Sequence, residues 1–129
     1  MPTLDVNPET VCHLIQLARE FHAQEAVVFP DDPISPTEDW PTQILAAHAS
    51  DPTLSEFRSI IADLYPDQQV QVVALLWLGR DDYTESDWEM LVQDAEDAWN
   101  PRTAEYLIAH PLLAEHLTDG LELLGYHCE

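Results

Sequence analysis

Six histidines and two cysteines are the residues of this chain whose types could hold a metal ion. Cys12 and His13 are adjacent, so on a helix their side chains point about 100° apart and do not ligate easily from one face. His22 lies nine residues beyond His13, His110 and His116 are six apart across a break at Pro111, and His127-Cys128 forms a terminal tail. None of these has a zinc spacing such as C-x-x-C or H-x-x-x-H. Cys12 could meet His127 or Cys128 if the first and last helices pack together, which keeps a metal-binding protein among the alternatives. Histidines of core or surface, with no metal and no cofactor, are the expectation. The acidic stretch DDYTESDWE invites a calcium reading, but both registers fail. Counted from Asp81, the sixth position is Ser86 and the twelfth Val92; counted from Asp82, they are Asp87 and Gln93. An EF-hand loop needs Gly and Glu there. Nucleophilic catalysis has no better support: no Ser stands in a glycine-flanked elbow, and Cys12-His13 is not a dyad. There is no Gly-rich phosphate loop. The expectation is that the protein is not an enzyme.

The chemistry that remains is charge. The chain carries 25 Asp plus Glu against four Arg and no Lys, for a formal charge of −21 on 129 residues. Gripping nucleic-acid phosphates requires a basic footprint, and an anionic membrane leaflet repels this composition, so direct nucleic-acid or membrane binding is not expected. The chain is not disordered, since 46% of its residues are hydrophobic and the apolar positions are periodic. The acids therefore sit on a folded body. Eight of them lie between Asp81 and Asp97 with no base among them, and Arg80 stands just before as a lone counter-charge. Arg80, Asp81, Asp82, Tyr83, Glu85, Glu89, Asp94 and Asp97 are the candidate interaction surface, with Trp40 as an anchor if it is exposed. For Arg80 the competing reading is that it neutralises a helix end and pairs with nearby acids. Trp77, Trp88 and Trp99 sit on apolar stripes and are expected in the core.

These residues imply a non-enzymatic protein-interaction module with a basic protein partner. One alternative is a nucleic-acid mimic: on a helix rising ~1.5 Å per residue the acids of 81–97 give a charge every ~3 Å, near the ~3.4 Å phosphate rise of one DNA strand. Another is an acidic surface reflecting salt adaptation, with no charge-specific partner.

The elements follow from caps and periodicity. Asn7-Pro8, Asp51-Pro52 and Asn100-Pro101 each look like a helix start, with a capping side chain and a Pro at the first helical position. Helices are expected over 8–24, 42–49 and 52–64. Residues 30–41, with four prolines and four acids, read as a Pro-rich loop. From Val70 to Leu78 nearly every residue is apolar; with Pro66 ahead and Gly79 read as the stop, this is a buried central helix over about 66–78. Thr84 opens an acidic helix with Trp88, Leu91, Val92, Ala95, Ala98 and Trp99 as its stripe. A helix over 101–109 follows, and the last runs from His110-Pro111 to Gly125. The fold class is all-α: one compact domain over 1–129, five to seven short helices, with the central helix wrapped by the first helix and the last two. The N-terminus has neither a basic nor an apolar signal region and no apolar run reaches the roughly 18 residues of a membrane span. A cytoplasmic protein with both cysteines as reduced thiols is therefore expected.

From Leu64 to Gly125 the chain resembles the domain of unknown function 3775 family of small bacterial proteins. The resemblance is carried by VALLWLGR with Asp82-Tyr83 after it and by TAEYLIAHPLLAEHLTDGLELLG. Asp81 stands where the family often has the second Gly of a Gly-Arg-Gly pattern, so no positive-φ turn is expected there. The resemblance implies a small helical protein and brings no activity and no catalytic residue.

Overall fold

The computed structural model describes residues 4–23, 45 and 51–128. The Pro-rich stretch 30–41 with Trp40, the helix expected over 42–49 and Gln24, the last residue expected in the first helix, lie outside the described residues, except for Leu45, which is helical and buried. Among the described residues the fold is all-α, with six α-helices and no strand. They are α1 (Pro8–His22), α2 (Pro52–Asp63), α3 (Pro66–Arg80), α4 (Trp88–Asp97), α5 (Thr103–Ile108) and α6 (Leu113–Leu123).

The caps explain where the first two helices start. The Asn7 carboxamide accepts from the Glu9 amide at 2.9 Å, and the Asp51 carboxylate accepts from Thr53 and Leu54 at 2.8 and 3.1 Å. Each satisfies amides that the first helical turn leaves without partners. At Asn100 the outcome differs. Its carboxamide accepts from the Arg102 amide at 2.8 Å and closes a turn, so α5 begins two residues later than the Pro rule implies. Thr84 likewise opens a short 3-10 turn, Glu85–Asp87, and α4 starts only at Trp88. The Asp87 carboxylate accepts from the Thr84 amide at 2.9 Å and fixes that turn.

α3 is the buried centre. Gln69 to Leu76 are buried without interruption, as is Leu78. Its principal neighbours are α6 and α4, with α5 at one end; α1 packs chiefly on α6 and α2, not around α3. α1 is therefore a second layer: its face of Val11, Leu14, Ile15, Leu17, Ala18 and Phe21 is buried against the outer helices. At its end His22 Nε2 donates to the Ile108 carbonyl at 2.7 Å. Burial holds the His22 pKa below its ordinary value, although that hydrogen bond works the other way.

Two glycines let α3 and α6 touch backbone to backbone. Gly79 lies inside α3 rather than past its end, and its φ is not positive. A Cβ there would collide with the His116 carbonyl and approach the Gly120 amide nitrogen to 2.8 Å. A Cβ on Gly120 would in turn collide with the Leu75 carbonyl. Gly79 is thus a contact residue, not a helix stop. The true stop is Gly125, at φ 91°. Its amide donates to Glu122 at 3.0 Å and the Tyr126 amide to Leu121 at 2.9 Å, a Schellman closure of α6.

That closure carries the tail back to α1. Tyr126 Oη accepts from the Leu4 amide at 3.5 Å, and Cys128 is disulfide-bonded to Cys12 with Cα atoms 5.6 Å apart. The expected reduced thiols are corrected here. Packing of α1 on α6 brings together two residues 116 apart in sequence.

Two buried glutamines of α3 tie it to neighbouring segments. Gln71 Oε1 accepts from the amides of Asp5 and Val6 at 2.8 and 3.1 Å and fastens the N-terminal segment to the core. Gln69 Nε2 donates to the carbonyls of Ile61 and Leu64 at the end of α2, and its Oε1 accepts from Trp99 Nε1 at 2.8 Å. Buried amides cost free energy unless paired, and here both are.

Candidate functional site

α3 delivers Arg80 to the surface at its last residue, and the chain then turns away through Asp81 and Asp82. Arg80 does not point freely outward. Its Nε and Nη2 donate to the two Asp81 oxygens at 3.4 and 3.2 Å, and Nη1 donates to His110 Nε2 at 3.1 Å. The His110 ring is fully buried and its Nδ1 faces the carbonyls of Tyr106 and Leu107 at 2.9 and 3.3 Å. Carbonyls only accept, so Nδ1 carries the hydrogen and Nε2 is the acceptor that Arg80 satisfies. Burial works against the Arg80 charge, but Asp81 and the Tyr106 phenol outweigh it and raise its pKa above the ordinary value. Tyr106 in turn takes a hydrogen bond from Trp77 Nε1 at 2.8 Å, and burial raises its phenol pKa. Arg80 therefore ties the end of α3 to the end of α5.

Beyond that lock the acids are open. Asp81, Asp82, Glu85, Glu89, Asp94, Glu96 and Asp97 are exposed, while Asp87 and Tyr83 are half-buried. Among the described residues the one ion pair in this stretch is Arg80–Asp81. α4 itself holds only Glu89, Asp94, Glu96 and Asp97; the other four acids lie on the turn and the 3-10 segment ahead of it. The acids expected along one helix over 81–97 are thus divided, because the helix is ten residues long and not seventeen.

The tryptophans divide differently from the expectation. Trp88 is buried and Trp77 half-buried, but Trp99 is 40% exposed. α4 ends at Asp97, so Trp99 leaves the helical stripe and folds back to Gln69 instead of entering the core. Met90 is 46% exposed on the same helix. A concavity of about 450 Å³ opens beside Trp99, between the start of α3 and the end of α4. Sequence reasoning overlooked this tryptophan as a surface residue; the polar Gln69 one turn into an apolar helix was the available signal.

A concavity of about 560 Å³ is lined by Cys12, His13, His127 and Cys128, but these residues do not form a metal set. Among the described residues no three His, Cys, Asp or Glu side chains converge where they could hold a metal ion. Cys12 and Cys128 are spent on each other, and His13 pairs with Glu56 at 2.9 Å. No described helix is long and apolar enough to cross a membrane.

No curated protein and no solved structure matches this chain. A family model does: the one described as Protein of unknown function (DUF3775) covers residues 54–126, from α2 through the closure of α6. That span is more than half of the chain, and the protein belongs to this family.

Proposed function

We propose that the protein is a non-catalytic interaction module whose working surface is the exposed face of α4 with the turn before it, and whose partner is a basic protein. The observation that carries this reading is the concentration of seven exposed carboxylates over 81–97, where Arg80, the cation next to them in sequence, is already committed to Asp81 and His110. Like charges held together raise the energy of the free surface, and a cationic partner relieves it. Trp99 and Met90 add apolar area to that field, and a tryptophan ringed by charge is the residue type that anchors interfaces. The acids would set encounter rate and partner choice more than affinity.

The test compares two variants of equal net charge for capture of proteins from the source cell. One neutralises Asp82, Glu85, Glu89, Asp94 and Asp97 as their amides; the other neutralises Glu9, Glu20, Asp63, Glu115 and Glu122. The expected result is that the wild type and the second variant retain the same basic proteins and the first variant loses them. Retention of only neutral or acidic proteins, or equal loss from both variants, would sink the reading.

A further inference from the structure

The geometry points to a specific pocket at the edge of that surface: we propose that the concavity beside Trp99, between α4 and the start of α3, takes an arginine or lysine side chain of the basic partner. The inference rests on the acidic-module reading and adds its point of contact. The concavity has an apolar part, Val70, Val92 and the Trp99 ring, and three carboxylates around it, Asp5, Asp67 and Glu96. Asp5, Asp67 and Glu96 are all exposed, and among the described residues no base lines the cavity. A long basic side chain matches both halves, because its methylene stem lies on apolar surface while its head seeks carboxylates. Trp99 supplies a third feature. Its N–H is held by Gln69 Oε1 at 2.8 Å, so the 40% of the residue left open offers ring rather than donor. Indole is the aromatic that attracts cations best, and here its orientation is fixed in advance. Gln69 is itself anchored to the α2 carbonyls, so the ring is held by α3 and the end of α2. An acidic partner segment is repelled by three carboxylates, and a purely apolar one would strip them of water without compensation.

The experiment is isothermal titration at 0.15 M salt with a ten-residue, end-blocked peptide of alternating arginine and serine, and with the same peptide carrying citrulline for arginine. The arginine peptide should bind and the citrulline peptide should not. Trp99→Leu, which keeps apolar bulk and removes the best cation-attracting ring, should weaken binding about fivefold. Glu96→Lys should weaken it several-fold more than Glu89→Lys, which makes the same change in net charge outside the cavity. If Trp99→Leu fails to fold, the comparison of Glu96→Lys with Glu89→Lys decides, since both positions are exposed. Binding that is indifferent to Trp99 and to Glu96 but is lost on neutralising Asp82, Glu85 and Glu89 overturns the pocket and leaves the acidic-module reading standing. Absence of binding to the wild type overturns both.

Discussion

Gly79→Ala is expected to be the most damaging small substitution in the chain. Alanine is the better helix former by about 1 kcal/mol, so propensity alone predicts stabilisation. Sterics oppose it: the new methyl would meet the His116 carbonyl and the Gly120 amide, both backbone atoms of the facing helix. No side-chain rotation relieves that contact, and the two most extensively packed helices must part. Overpacking typically costs 1–3 kcal/mol where side chains give way, and a backbone obstacle belongs at or beyond about 3 kcal/mol. For a chain of this size that lowers the melting temperature by roughly 10 °C or more. Gly120→Ala should rank second, since its methyl meets only the Leu75 peptide. Gly125→Ala should cost about 1–2 kcal/mol, from its positive φ alone. Thermal melts of the three variants check the order. An unchanged melting temperature for Gly79→Ala would mean that α3 and α6 do not cross as described.

The second large effect is expected from the Cys12–Cys128 bond. It spans 116 residues and so joins nearly the whole chain into a ring. Loop-closure entropy for a ring of about 100 residues corresponds to ~4.7 kcal/mol, and structure remaining in the unfolded chain reduces that figure. Even half of it is a large share of the ~5–15 kcal/mol that holds a domain folded. Urea titrations with and without a dithiol reductant should show a clear fall in midpoint on reduction, and the double variant Cys12→Ser, Cys128→Ser should match the reduced wild type. Alkylation of both cysteines in the folded protein before any reductant is added would contradict the bond. Both cysteines lie outside the residues that the family model matches.

Much of the fold was legible because local rules and tertiary packing agree. Asn7-Pro8 and Asp51-Pro52 are read correctly as starts, since their side chains cap whatever the rest of the chain does. The nearly unbroken apolar run of α3 required burial on every side, and every residue of it but the half-buried Trp77 is buried. The misreadings arise where a residue type has two uses. A glycine near a helix end can stop the helix or admit a neighbour, and only the position of α6 decides for Gly79. Trp99 continues the period of α4, but the helix stops two residues short of it, and a hydrogen bond to Gln69 then sets its place. Cys12 and Cys128 carry no pairing signal, because their proximity follows from the packing of α1 on α6. The acidic face was located by counting charges, whereas its division into a locked Arg80–Asp81 end, an open middle and a tryptophan-lined pocket depends on side-chain contacts that no spacing encodes.

The most direct test of a localised acidic working surface is a nuclear magnetic resonance titration of the labelled protein with the arginine–serine peptide at 0.15 M salt, where exposed charges more than ~8 Å apart are largely screened. The predicted result is saturable shifts concentrated on the amides of 81–99, with the Trp99 indole N–H among them. Weak, non-saturating shifts spread equally over the exposed acids of α1, α2 and α6 would contradict it, and would mean that the charge has no address.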